Sequence, residues 1–195
     1  MLRRCCSLNI YKKTIAFFKK YDIIGSYIYI GRAFMPIQFI ESTGTFKLDT
    51  SSTSYIMQLN NYGYLLHLYY GAYIPDSELD YLAYTISHST LSPRMYDWKK
   101  GDFYFSKDVS RMEYSCNGCG DFRGIALSIL RSTGTADTDI KYVSHKIYAG
   151  KPLIVGQPAT YAAEDVATTL EVLCLDAVSG AEVTLFYLWL NISAN

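Results

Sequence analysis

Cys116 and Cys119 form the one Cys-x-x-Cys pair in this 195-residue chain, and that spacing suits a metal site or a redox couple. A structural zinc needs four ligands, however, and neither a second cysteine pair nor a histidine pair stands at a matching interval. A thioredoxin-like couple needs a βαβ setting that the surrounding residues do not offer. Neither a metal nor a cofactor is therefore expected. Gly118, Gly120 and Gly124 bracket the same stretch. The third comes one residue too late for the dinucleotide-binding pattern G-x-G-x-x-G, and no helix follows, so the run is read as a turn. Asp121 and Arg123 share one face of an extended chain, where they can clamp each other or sugar hydroxyls through charge-assisted hydrogen bonds. His67 and His145 fall in strand-like runs and His88 in a polar loop. No G-x-S-x-G nucleophile accompanies them, so no triad is assembled. Asn191-Ile-Ser193 is formally a glycosylation acceptor, which has meaning only in a secreted chain.

The composition says what kind of elements must hold these residues. Half of the chain is hydrophobic and 18% is charged, within the range of folded soluble proteins. Nineteen tyrosines stand against two tryptophans and nine phenylalanines, which favours half-buried strand faces. The same rings suit sugar stacking, although filling sheet faces is the plainer reading. A net charge of zero conceals a division: residues 1–36 carry +6 and residues 37–195 carry −6. The acidic body argues against a nucleic-acid partner. In the first 31 residues the longest uncharged run is Ile23–Gly31, too short for a membrane span of about 20 residues. Lys12, Lys13, Lys19 and Lys20 interrupt any apolar core of a secretory signal. A cytoplasmic protein without a membrane partner is the expectation, and five cysteines, an odd number, fit reduced thiols better than a disulfide framework.

From about residue 44 the chain reads as short β-type runs between turn residues. Strands are expected at Phe46–Leu48, Ser54–Leu59, Tyr64–Tyr70, Asp102–Ser106, Gly124–Arg131, Ile140–Ala149, Thr168–Leu175 and Ala181–Tyr187. Asn60-Asn61-Tyr62-Gly63 and Asp176–Gly180 supply hairpin turns, because Asn and Gly tolerate positive φ. No run beyond position 44 keeps a helical period over ten residues. The expected fold is all-β, an antiparallel sandwich, spanning residues 41–195. Residues 1–40 form a separate basic segment, either an amphipathic helix around Ile10–Lys20 or disordered.

The runs Phe46–Leu59 and Tyr62–Gly71 together resemble the start of glycoside hydrolase family 36 α-galactosidases. Phe105-Ser-Lys-Asp108, Glu113-Tyr114 and the compact Gly120-Asp121-Phe122-Arg123 resemble the next landmarks of that family. Tyr142–Pro152, Gly156–Tyr161 and Thr169–Val172 follow in the family's order, so the resemblance covers about residues 44–187. It implies a sandwich of the β-supersandwich type standing in front of a catalytic (β/α)₈ barrel. The complete enzymes of the family hydrolyse terminal α-galactosides with retention, using two barrel aspartates. Retention needs carboxyl groups about 5–5.5 Å apart, and a barrel takes about 250 residues. No aspartate of this chain is expected to inherit either role.

The resemblance further implies that loops of this domain approach a neighbouring subunit's sugar pocket. That makes Asp121, Phe122 and Arg123 the substrate or subunit-interface candidates. Oligomers are expected of the full-length enzyme alone. Relatives continue with further strands after Thr184-Leu-Phe-Tyr187, whereas this chain reads Leu188–Asn195, so a truncated or frameshifted frame is expected. The rival class is a free-standing carbohydrate-binding sandwich module using its tyrosines as platforms.

Overall fold

The computed structural model describes residues 36–75, 79–83, 105–118, 120, 121, 123–154, 156, 158 and 166–190. Cys119, Phe122, His88, most of the basic front segment and the 191–193 acceptor lie outside them, as do residues 102–104 of the strand expected at Asp102–Ser106. Among the described residues there are seven strands: β1 Ile37–Ile40, β2 Thr45–Asp49, β3 Thr53–Leu59, β4 Leu65–Ala72, β5 Ile140–Ala149, β6 Ala167–Asp176 and β7 Glu182–Leu190. All pairings are antiparallel, in a four-stranded sheet β1-β2-β3-β4 and a three-stranded sheet β5-β6-β7. The expected all-β sandwich is the observed class. Its first sheet begins at Ile37, inside the segment assigned from the sequence to the front extension.

Local chemistry fixes the hairpins. Between β3 and β4 the Asn60 side-chain oxygen accepts from the amides of Tyr62 and Tyr64 at 3.0 and 2.9 Å. Gly63 there has φ 82°, a conformation that favours glycine. Between β6 and β7 the Asp176 carboxylate accepts from the Ser179 amide at 2.9 Å, and the Gly180 amide closes the turn on Asp176 O at 2.8 Å. Gly124–Arg131 is not a strand: a single bridge joins Leu127 to Cys116. Its apolar residues found no partner strand, and Ile125 and Leu130 stay exposed. Ser106 is likewise outside any strand.

The two sheets enclose one core. Ile37, Phe46, Tyr55, Met57 and Leu65 of the first sheet face Leu170, Val172, Cys174, Val183, Leu185 and Tyr187 of the second. Phe39 and Phe46 pack on the ring of His145 from β5, with centroids 4.3 and 4.9 Å apart. A second cluster lies on the far side of the first sheet, where Ile56, Leu68 and Leu79 are buried with Ile74, Leu82 and Ala83 against them. That face also buries the Lys47–Asp49 ion pair (3.0 Å), with the Ser54 hydroxyl donating to Asp49 at 2.6 Å. The outer face of the second sheet carries no such layer among the described residues, and Val143, Leu175 and Leu190 remain exposed.

Candidate functional site

The segment from Phe105 to Arg131 holds most of the residues singled out for chemistry, and it is anchored to both sheets. Residues 111–113 add to the edge of β4: the His67 amide donates to Arg111 O at 2.8 Å and the Glu113 amide to Leu65 O at 2.9 Å. This places the Glu113 carboxylate inside the sandwich, 5% exposed. It accepts from the Tyr55 hydroxyl of β3 at 2.7 and 2.6 Å and from the Tyr187 hydroxyl of β7 at 3.1 Å. His67 Nδ1 lies 3.3 Å from it. One carboxylate thus ties together side chains of opposite sheets. Burial, reinforced by Glu113, pushes both phenols well above their ordinary pKa, so they stay neutral donors.

A second cluster closes the other end of the segment. Lys107, buried, sets its ammonium on the Asp139 carboxylate and over the Tyr64 ring, 4.5 Å from the centroid. The Tyr64 hydroxyl donates to the same Asp139 oxygen at 2.8 Å, and the Asp139 amide donates to Asp176 Oδ1 at 2.6 Å. A buried lysine is tolerated because the opposite charge and the aromatic face replace its water.

Asp121 and Arg123 meet as the extended spacing predicts. Asp121 is 4% exposed, and Arg123 Nε donates to its Oδ1 at 3.0 Å. The rest of the guanidinium fork is also engaged, with Nη2 donating to Lys107 O at 2.8 Å and Nη1 to Ser110 O. The pair therefore pins its own loop. Gly118, at φ 88°, turns the chain ahead of it, and the Asp121 amide donates back to Gly118 O at 3.1 Å. A Cβ at Gly118 would lie 2.8 Å from that of Asp137, so the turn admits no side chain there.

Cys116 and Cys174 are both buried free thiols in the shared core. Burial pushes the Cys116 thiol up to about 11, against weaker lowering by a hydrogen bond with Thr138, and the Cys174 thiol up to about 12. Neither presents a thiolate at neutral pH. Among the described residues, no three His, Cys, Asp or Glu side chains gather in a metal-holding group. His145, half-buried, packs on Phe39 and Phe46 with its Nδ1 2.8 Å from the Tyr142 hydroxyl.

A cavity of about 390 Å³ opens beside the β3–β4 hairpin, lined among others by Gln58, Asn60, Asn61, Tyr62, Phe105 and Arg111. Tyr62 and Phe105 stack at its wall with centroids 5.3 Å apart. None of the described residues that line it is an aspartate or glutamate. The Glu113 and Lys107–Asp139 clusters escaped the sequence reading. The signal for both was a charged residue set directly beside a strand-forming aromatic or aliphatic one, Glu113-Tyr114 and Asp139-Ile140.

Residues 63–191 match the model of the glycosyl hydrolase family 36 N-terminal domain. The chain belongs to this family. It is 38% identical over 154 residues to alpha-galactosidase AgaA of Geobacillus stearothermophilus, covering 78% of this chain and 21% of the relative. It is 37% identical over 153 residues to the bifunctional alpha-galactosidase/sucrose kinase AgaSK of Mediterraneibacter gnavus, covering 78% and 16%. Among solved structures, the galactosidase domain of AgaSK superposes with TM-score 0.72 at 36% identity, over 79% of this chain and 21% of that one. A variant of AgaA crystallised with raffinose superposes with TM-score 0.66 at 37% identity, over 75% of this chain and 20% of that one. The chain thus spans about a fifth of the length of these family 36 proteins. No helix among the described residues is long and apolar enough to cross a membrane.

Proposed function

We propose that this chain is the front scaffold domain of an α-galactosidase and that these 195 residues hydrolyse nothing by themselves. One observation carries the reading: a family 36 N-terminal domain match joined to coverage of only about a fifth of each relative. Retaining hydrolysis needs two carboxyl groups about 5–5.5 Å apart across the sugar. The acids described at close quarters here are spent on structure: Glu113 on two tyrosines, Asp139 on Lys107, Asp121 on Arg123. In the complete enzyme the sandwich buttresses the catalytic domain and takes part in the oligomer, and the substrates are terminal α-galactosides. The AgaA complex with raffinose supports that substrate class. Asp121, Phe122 and Arg123 are the positions of this domain assigned to the substrate or subunit interface. Arg123 supports this, because its side chain keeps 35% exposure beyond the contacts that pin it. The residues ahead of β1 are a basic extension, the enzyme works in the cytoplasm, and neither nucleic acid nor membrane is a partner.

A second reading, a free-standing carbohydrate-binding module, is favoured by one feature, the cavity with side-chain amides beside the Tyr62–Phe105 stack. Titration of the purified chain with galactose and raffinose separates the two. The scaffold reading expects no saturable heat or fluorescence change. A stoichiometric binding curve, lost on replacing Asn61 and Tyr62 by alanine, would install the module in its place.

A further inference from the structure

The stretch 136–139 leads into β5 and holds the loop that carries Asp121 and Arg123 in two places. The first hold is on the turn ahead of Asp121. The Thr138 amide donates to Asn117 O at 2.7 Å, and Asn117 Nδ2 donates to Ala136 O at 3.0 Å. The second hold runs through Asp139. Its amide donates to Asp176 Oδ1 at 2.6 Å, and its carbonyl accepts from the Ala177 amide at 3.0 Å. The β6–β7 turn therefore fixes where the Asp139 carboxylate stands. Lys107 reaches that carboxylate from the loop with its ammonium, and its own carbonyl accepts from Arg123 Nη2 at 2.8 Å. The other acceptors of the Arg123 fork are Asp121 and Ser110 O, and the Ser110 amide bonds back to Ser106 O at 3.0 Å. Of these three partners, Lys107 alone extends a side-chain bond from the loop to the sheets among the described residues.

We propose that Lys107 is a positioning residue: its grip on Asp139 fixes the carbonyl that Arg123 uses, and so sets where the Asp121–Arg123 clasp stands. This rests on the reading that Asp121 and Arg123 belong to the substrate or subunit interface, and it supplies what holds them there. A surface lysine could not do this, because a solvated ammonium keeps many rotamers and an exposed pair contributes little. Lys107 is 3% exposed and Asp139 1%. Releasing the grip would leave the ammonium buried without its counter-charge, so a single geometry dominates. The Tyr64 hydroxyl donates to the same Asp139 oxygen at 2.8 Å, and its ring centroid lies 4.5 Å from Nζ, which narrows that geometry further. A charged fork serves a recognition surface best when it is held in advance, because ordering it on contact costs rotamer freedom. Lys107 does the holding.

The test is hydrogen exchange, followed by NMR on the purified 195-residue chain, of the Arg123 Nε proton and the Asp121 and Arg123 amides. All three are bonded inside the clasp and its turn, to Asp121 Oδ1 and to Gly118 O. Lys107→Met keeps the long stem without the charge. Exchange at the three sites should quicken about tenfold, as when a charge-assisted hydrogen bond stops holding a loop. Because that variant strands a buried carboxylate, Lys107→Met combined with Asp139→Asn is the second arm, and it decides alone if the single variant does not fold. The double variant removes both charges and should restore the urea midpoint while exchange in the clasp stays fast. Unchanged exchange in Lys107→Met, or a clasp that recovers together with the midpoint in the double variant, would each overturn the proposal. Neither sugar nor partner enters the measurement, so its failure leaves the interface assignment standing. Failure of that assignment would equally leave the exchange result unchanged.

Discussion

The two sheets share a core and differ in what lies behind it. The first is covered on both faces: Phe46, Tyr55 and Met57 point to the shared core, while Ile56 and Leu68 lie under Leu79 and its neighbours. Its polar pair Lys47–Asp49 is consequently sealed from solvent. Among the described residues the second sheet is covered on one face, with Val172 and Leu185 inside and Val143 and Leu175 exposed. β2 is buried along almost its whole length, whereas β7 alternates as a strand of a half-covered sheet does. The difference teaches that one shared core can serve two sheets whose outer faces are built differently. Among the described residues, the first sheet is layered on both faces and the second on one.

The largest effect expected is at the point where the sheets are joined. Glu113→Ala leaves the Tyr55 and Tyr187 hydroxyls buried without their acceptor, at about 1–3 kcal/mol each, so urea unfolding should show a loss of about 4 kcal/mol. A loss below about 1 kcal/mol would mean that the carboxylate does not bind the sheets to each other.

Next comes the contrast between outer faces. Leu79→Ala should cost about 2–4 kcal/mol in the same assay, and Leu175→Ala less than about 0.5 kcal/mol. Equal values would erase the distinction between a covered and an uncovered sheet.

A smaller effect belongs to the loop. Arg123→Lys removes the planar fork that holds Asp121, Lys107 O and Ser110 O together, at a cost of about 1–2 kcal/mol. Faster proteolytic cleavage between residues 105 and 131, with the strands intact, is the expected signature, and unchanged cleavage would show that the loop is held by something else.

The mildest effect is a pH dependence. Burial opposes the charge on Asp176, but hydrogen bonds from the Asp139 amide, the Ser179 hydroxyl and amide and the Val178 amide outweigh it, holding the carboxyl below its ordinary 3.8. A group depressed in the fold contributes stability that is complete above the ordinary value and lost as the pH falls through the folded one. Thermal midpoints should therefore drop on acidification below about 3.8, and more gently in Asp176→Asn. An identical acid slope in the variant would remove Asp176 from the acid response.

Much of this architecture was legible in the residues. The Asn60–Gly63 and Asp176–Gly180 turns announced two hairpins, because local side-chain chemistry decides such turns. Gly124–Arg131 misled, since β propensity describes a residue's fitness for a sheet and not the presence of a neighbour to pair with. β1 was missed for the opposite reason: Ile37-Gln-Phe-Ile40 is four residues long and pairs only because β2 lies beside it. The Asp121–Arg123 clasp is one of the two pairings that the spacing offered. Glu113 and Tyr187 are 74 residues apart, and no local pattern reveals that they meet.

The central claim is that these residues form scaffold without glycosidic chemistry. Incubation of the purified 195-residue chain with p-nitrophenyl α-galactoside tests it most directly. The account predicts release of nitrophenol at the rate of buffer alone, and turnover that scales with the concentration of the chain would contradict it.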